Sequence, residues 1–245
     1  MNLSSNNSTA TLNNNANNII PTHTIISDFN LIFDDILNWI EQEYGREFIA
    51  NARQRFVNLI GSNLYEQEDL GANLTRYFFD LLIFNNNPLS LNLFSSPPGL
   101  FSKYLFSKNY KALCDVNSEN TWVSQLAGSR HSLFQIQKNS PTSLLLLDMI
   151  AKTQYEITAS ADQLFYGLEK GNILQAFIFP VCNINLLSPG FIIHPHLAKG
   201  FLQDYIAKFR NQPSQFQQHE FFIFLIKLFL RSKRLGHLKT QDIYH

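Results

Sequence analysis

The stretch that decides the fold is residues 132–158, SLFQIQKNSPTSLLLLDMIAKTQYEIT. In its first part Phe134 and Ile136 alternate with polar side chains, which predicts a half-buried β-strand. The apolar run at residues 143–150 predicts a strand that is buried on both faces. Residues 155–157 alternate again after a tight connection. We expect these strands to pair antiparallel, because parallel strands need a long crossover between them.

Two more strands are predicted further along the chain, at residues 172–181 and 191–193. Five strands at this close spacing favour an antiparallel meander or a small curled β-barrel. Residues 167–173, GLEKGNI, lead into the fourth strand and resemble a turn from a small barrel-type binding domain. This local likeness is too general to imply a function.

Three segments with helical periodicity precede the strands. Apolar residues recur at three- and four-residue spacing from residue 29 onward, again in residues 48–60, and again in residues 69–83. Gly45 and Gly61 separate these segments, as glycine commonly does at helix ends. Three helices with short connections predict an N-terminal helical subdomain.

Two helices are predicted after the strands, at residues 195–209 and 218–233. Residues 221–230 are apolar almost all round, so the second helix is expected to be buried on more than one side. The fold class predicted from the whole pattern is α+β. It has a central antiparallel sheet or small curled β-barrel of about five strands, flanked by the N-terminal helical subdomain and two C-terminal helices.

Composition divides the chain into four parts. Residues 1–24 are rich in Asn and are predicted to be a disordered tail. Residues 25–120 form the predicted helical subdomain and residues 121–195 the β-rich core. Residues 196–245 hold the C-terminal helices, which we expect to pack on that core. The prolines near residues 95–99 make a semi-independent helical subdomain conceivable.

The compartment is predicted from what the sequence lacks. Cys114 and Cys182 are too few for a disulfide framework, so we interpret both as free thiols in a reducing compartment. No secretory signal is evident, and no apolar run approaches the ~20 residues that cross a bilayer. We therefore expect a cytoplasmic protein without a membrane span.

Charge is balanced overall but unevenly distributed. The chain has 19 basic and 19 acidic residues. Residues 21–80 hold ten acids and four bases, a net charge of −6, whereas residues 195–245 hold eight bases and three acids, a net of +5. Within the basic region three cations recur at helical spacing and share a face. The candidate binding residues are Lys227, Arg231, Lys233, Arg234 and Lys239.

Three interpretations of this basic stretch remain open at the level of sequence. It could contact the phosphates of a nucleic acid. It could pair with the acidic early helices, in the same chain or in a neighbouring one. It could also be an ordinary solvated helix end, in which bases complement the helix dipole.

Two weak metal candidates stand out. Asp148 and Glu156 lie on adjacent predicted strands, where paired carboxylates could hold Mg²⁺ for a nuclease-like hydrolase, although the lysine expected near Glu156 is absent. His194 and His196 flank a proline, but two imidazoles do not complete a zinc site. For the histidines we favour a strand-to-helix junction with exposed rings.

The predicted function is that of a non-enzymatic interaction, scaffold or adaptor protein. The sequence contains no phosphate-binding glycine loop and no glycine-flanked nucleophilic serine. We expect no cofactor, and a partner that is another protein or a second copy of the chain. The first alternative is a nucleic-acid-binding module that uses the basic C-terminal helix. The second is a metal-dependent hydrolase at Asp148 and Glu156.

Overall fold

The computed structural model describes most of the chain outside the N-terminal tail. The described residues are 22–61, 68–84, 99–108, 121–158, 165, 167–181, 183–210 and 215–244. Most of the predicted Asn-rich tail lies outside them, as do Cys114 and Cys182. The first helix already begins at Thr22, inside the stretch predicted to be tail.

In the described residues, four α-helices precede the first strand. The three predicted N-terminal helices are confirmed. Gly45 and Gly61 lie at their ends with φ values of 82° and 84°, a backbone region that glycine enters without a Cβ penalty. The helices are α1 (Thr22–Tyr44), α2 (Arg46–Ile60), α3 (Glu68–Phe84) and α4 (Leu100–Ser107).

A 3₁₀ helix leads into a six-stranded mixed sheet. The helix is η1 (Thr121–Gly128). The strands are β1 (Arg130–Asn139), β2 (Ser143–Asp148), β3 (Gln154–Thr158), β4 (Ile173–Val181), β5 (Ile184–Leu187) and β6 (Ile192–His194). The central block of strands between helices confirms the predicted α+β class.

Five of the strands form a ring. β1 pairs with β2, β2 with β3, and β4 with both β1 and β5, all antiparallel. The ring closes through a single parallel residue pair, Ile157 on β3 with Asn185 on β5. Because this closure is so short, the ring is not a regular barrel. β6 follows β5 along the same edge of β4.

The sequence prediction missed β5 and the parallel pair. β5 has four residues and turns back from β4 through a two-residue hairpin that contains Asn183 at φ 66°. A strand this short gives too few alternations to be recognised from sequence. The parallel pairing needs no crossover helix, because β4 itself connects β3 to β5.

The chain ends in helices that pack on the sheet. The two predicted C-terminal helices are confirmed, and a short third one follows them. On the second, Ile226 packs with the N-terminal helices and Leu225 packs with the C-terminal ones, so this helix is buried on two sides as predicted. The elements are η2 (His196–Ala198), α5 (Lys199–Arg210), α6 (Gln215–Arg234) and α7 (Thr240–Ile243).

The two faces of β4 pack against different parts of the molecule. Leu174 and Ala176 point into the ring, where they pack with Phe134 of β1. Phe177 and Phe179 point outward and join one apolar core with α1, α2, α3 and α4. The N-terminal helices therefore pack on the outer face of β4. Among the described helices, none is both long enough and apolar enough to span a bilayer.

The segment between β5 and β6 lies directly against the backbone of α3. Ser188 donates a hydrogen bond from Oγ to Oδ2 of Asp80, and it accepts one from the Gly190 amide at 3.1 Å. A Cβ atom added to Gly190 would lie 2.4 Å from the backbone nitrogen of Tyr77. Only glycine allows this approach, because the opposing atoms are backbone and cannot move aside.

We predict that Gly190→Ala lowers the free energy of unfolding by about 2 kcal/mol or more, in the range of overpacked cores. The added methyl group has to push α3 away from the sheet. Urea denaturation followed by circular dichroism measures the change.

The matched control is Gly200→Ala in α5, where an added Cβ meets no atom within 4 Å. This change should be neutral or stabilising by up to ~1 kcal/mol, because alanine has the higher helix propensity. Equal stabilities for the two variants would contradict the close approach at Gly190.

Candidate functional site

The predicted basic residues are all exposed and lie in the second half of α6 and just beyond it. Lys227, Arg231 and Arg234 lie four and three residues apart on the exposed side of α6, and all three are exposed. The Lys233 ammonium lies 5.5 Å from the ring centre of Phe229, one turn back. We call this the basic surface; its members are Lys227, Arg231, Lys233, Arg234, His237 and Lys239, all exposed.

Lysines and arginines outnumber acids along the basic surface. Residues 221–241 contain five lysines and arginines and no Asp or Glu, a net charge of +5, and the exposed Glu220 and Asp242 flank this stretch. Among the ion pairs between described residues, none includes a member of the basic surface. Two of the five acids of α1 pair elsewhere, Glu41 with Arg46 and Asp35 with Lys108.

Two exposed leucines lie at the same end of the molecule. Leu238 is 39% exposed between His237 and Lys239, and Leu197 is 62% exposed in η2. η2 packs against α7, which begins two residues after Leu238. The sequence analysis missed both leucines, because a single leucine in a polar stretch gives no periodic signal.

Asp148 is fully buried, and both of its carboxylate oxygens have hydrogen-bond partners. Its Oδ1 accepts hydrogen bonds from the Ser132 hydroxyl at 2.7 Å and from the amides of Ile150 and Ala151 at 2.8 Å. Its Oδ2 faces Arg130 Nε at 3.1 Å. The carboxylate therefore fixes the turn that follows β2.

Glu156 does not join Asp148. Glu156 pairs with Leu145 across β2 and β3 and is exposed on the outer face of the sheet. Asp148 shares the inner face with Leu144 and Leu146. Neighbouring residues of a strand point to opposite faces, so these two carboxylates cannot bind one ion. Within the described residues, no group of three or more His, Cys, Asp or Glu side chains could hold a metal ion.

The two candidate histidines are separated as well. His196 is exposed, but His194 is fully buried, so the expectation of two exposed rings was wrong for His194. Its Nε2 lies 3.1 Å from Oε1 of Gln175, and its Nδ1 lies 3.0 Å from the hydroxyl of Tyr244. An amide oxygen only accepts, so Nε2 carries the proton and Nδ1 accepts from Tyr244. Both ring nitrogens are thereby used within the fold.

Gln175 connects this pair to the N-terminal helices. Its amide nitrogen donates to the Tyr77 hydroxyl at 2.5 Å and to the Phe222 carbonyl at 3.2 Å. The Tyr77 hydroxyl in turn lies 2.6 Å from His131 Nε2. We call this set the buried hydrogen-bond chain; it runs through His131, Tyr77, Gln175, His194 and Tyr244.

Burial favours the neutral forms of His194, Tyr77 and Tyr244 in this buried hydrogen-bond chain. Desolvation lowers the pKa of His194 to about 3, and it raises the pKa of both Tyr77 and Tyr244 well above the usual range of tyrosine. A neutral histidine between a donor and an acceptor is a structural link, since it has no free nitrogen with which to bind a metal.

A second buried polar group, outside the buried hydrogen-bond chain, lies on α3. Asp80 is fully buried, 3.7 Å from Arg76 Nε, and the Arg76 guanidinium lies 3.3 Å from the ring centre of Phe33. Burial raises the pKa of Asp80 to about 7, although Arg76 and the Ser188 hydroxyl favour its charged form. These residues tie α3 to α1 and to the segment before β6.

Comparisons of the chain with protein-family models, with curated proteins and with solved structures found no match.

We predict that His194 makes stability fall as pH decreases from about 6.5 toward 3. The unfolded histidine takes up a proton near its ordinary pKa of ~6.5, whereas the folded one does so near 3. Each pH unit in this window costs about 1.4 kcal/mol. Urea denaturation of the wild type and of His194→Asn measures the effect, and their difference in stability should shrink as pH falls.

His196→Asn, the same change at an exposed histidine two residues away, is the control for the substitution itself. If the wild type and His194→Asn changed in parallel between about pH 4 and 6.5, the neutral buried histidine would be refuted.

We predict the opposite slope for Asp80. Its folded pKa of about 7 lies above the ordinary value of 3.8, so the folded protein holds a proton that the unfolded chain has lost. Its contribution to stability is fully present below pH ~3.9 and is lost as pH rises through about 7. The stability of the wild type relative to Asp80→Asn should therefore fall as pH rises, again measured by denaturation. A difference that rises with pH would show that Asp80 is charged in the fold.

Proposed function

We propose that this protein is a non-enzymatic interaction protein that binds an acidic protein partner through its basic surface. The observation that supports the proposal is a set of five exposed lysines and arginines in residues 221–241, none of which forms an ion pair between described residues. Such a surface attracts negatively charged partners and speeds their encounter.

An ordinary helix end does not account for the whole surface. Cations gain about 0.3–1 kcal/mol from the helix dipole in the last turn. Lys227 lies almost two turns before the end of α6 at Arg234, so it gains little from this effect. Lys227 with Arg231, and Arg231 with Arg234, are like-charge pairs that each destabilise a helix by about 0.2–0.5 kcal/mol. An anionic partner would turn this repulsion into attraction.

The buried polar residues support a binding role over a catalytic one. General acid–base chemistry needs a titratable group that reaches the substrate. Asp148 and His194 are buried, and hydrogen bonds within the fold occupy them.

We predict that Arg231→Glu combined with Arg234→Glu abolishes binding to the partner. The tagged full-length chain is used to capture proteins from a nuclease-treated extract of the cells that make it, at low salt. Proteins retained by the wild type and lost with the double variant are identified by mass spectrometry, and we expect them to carry acidic surfaces. Binding should weaken steeply at about 500 mM salt, where the Debye length is near 4 Å.

The matched control is Lys138→Glu combined with Lys170→Glu. Both lysines are exposed and lie outside the basic surface, and this variant changes the net charge by the same −4. It should retain the partners. Equal losses with both double variants would mean that net charge, and not the basic surface, controls binding, and the proposal would fail.

A nucleic-acid-binding role is the second candidate. The closed order β1-β2-β3-β5-β4 resembles the OB-fold, a five-stranded and partly open Greek-key barrel that binds oligonucleotides on the face of its second and third strands. In this chain that outer face presents Leu145, Leu147, Gln154 and Glu156 and no cation. Fold likeness alone assigns no function, so the basic surface would have to supply the phosphate contacts.

Titration of a fluorescent single-stranded RNA and of the same DNA separates the two candidates. Two results would favour the nucleic acid. One is salt-sensitive binding that the Arg231→Glu and Arg234→Glu variant removes. The other is capture of proteins only from an extract that has not been treated with nuclease. Absence of binding at low salt would eliminate it.

A further inference from the structure

A second charged surface lies on α1. This helix, Thr22–Tyr44, contains five acids and no Lys or Arg. Leu31 is 65% exposed on it. Asp28, Asp34 and Asp35 lie three or four residues from Leu31, so they surround it on the helix surface. We call these four residues the acidic face.

Two acids of the acidic face, Asp28 and Asp34, remain available to a binding partner. Asp35 accepts a hydrogen bond from the Tyr104 hydroxyl at 2.7 Å and pairs with Lys108. The ion pairs between described residues do not include Asp28 or Asp34. Asp34 contributes to the field at Arg76, but Arg76 lies against the Phe33 ring and pairs with Asp80.

The acidic face and the basic surface are complementary in charge and in apolar content. Each has an exposed leucine among charges of one sign: Leu31 among acids, and Leu238 between His237 and Lys239. The net charge of α1 is −5, and that of residues 221–241 is +5. Within one molecule the described ion pairs do not join them, so both remain for another molecule.

We propose that the acidic face of one molecule docks on the basic surface of a second copy, so that the chain self-associates head to tail. This inference rests on the proposed function, because it uses the same basic surface and names its partner. The two surfaces differ, so the contact is heterologous and leads either to a closed ring or to an open chain of molecules.

The leucines favour a second copy over a nucleic acid. A phosphate backbone offers no apolar group that could cover Leu197 and Leu238, whereas the acidic face brings Leu31. The overall charge of zero at neutral pH also permits association, since no net repulsion separates the copies.

The association should be weak and sensitive to salt. Exposed ion pairs contribute about 0.2–1 kcal/mol each, and few apolar side chains lie in the contact. We expect the average mass to rise between about 10 µM and about 300 µM protein at low salt, and to return to that of a monomer at about 500 mM salt. Light scattering coupled to size-exclusion chromatography measures the mass of the full chain.

Weakening the charge of each surface separately tests the pairing itself. One variant has Arg231→Glu and Arg234→Glu, which lowers the net charge of residues 221–241 from +5 to +1. The other has Asp28→Lys and Asp34→Lys, which changes the net charge of α1 from −5 to −1. Each should be monomeric alone, because one of its two surfaces has lost most of its charge. An equimolar mixture should regain a larger mass, since the unchanged acidic face of the first variant can dock on the unchanged basic surface of the second.

The control Lys138→Glu with Lys170→Glu should self-associate like the wild type, and circular dichroism should show that every variant is folded. A wild type that stays monomeric throughout, or a mixture that stays monomeric, overturns self-association. In that case, partners lost with the Arg231→Glu and Arg234→Glu variant would leave the proposed function standing. Partners retained by that variant would overturn the proposed function as well.

Discussion

The amide of Gln175 is the constraint on which the arrangement of helices around the sheet depends. It is fully buried in β4, and each of its polar atoms has a partner: Tyr77 on α3, the Phe222 carbonyl on α6, and His194 on β6. A buried polar group without a partner costs about 1–3 kcal/mol. Displacing any of these elements would leave such a group, so the buried hydrogen-bond chain specifies where each of them packs.

The apolar contacts alone would be less selective. Phe177 and Phe179 on the outer face of β4 could accept a helix in several registers, because rings pack against many apolar surfaces. Hydrogen bonds require both a short distance and the correct donor or acceptor. Together with the close approach at Gly190, they hold α3 in one position on the sheet.

The sequence predicted features that depend on local periodicity. The alternation around Phe134 and Ile136 identified a strand, and the spacing of Lys227, Arg231 and Arg234 identified an exposed face of a helix. The buried hydrogen-bond chain could not be found in this way, because Tyr77 and Gln175 are 98 residues apart. β5 was missed for a related reason, since its four residues become a strand only through β4.

Of the three interpretations of the basic stretch, pairing with the acidic helices of the same molecule is not seen among the described ion pairs. The uneven distribution of charge raised the possibility that the acidic early helices and the basic late ones pack on each other by charge. In the structure α6 contacts the N-terminal helices through apolar side chains such as Ile226 and Phe229, and the cations face outward. Apolar burial determines the packing, because desolvating ion pairs gains little. The opposite charges are therefore left on separate outer surfaces, where they can act between molecules.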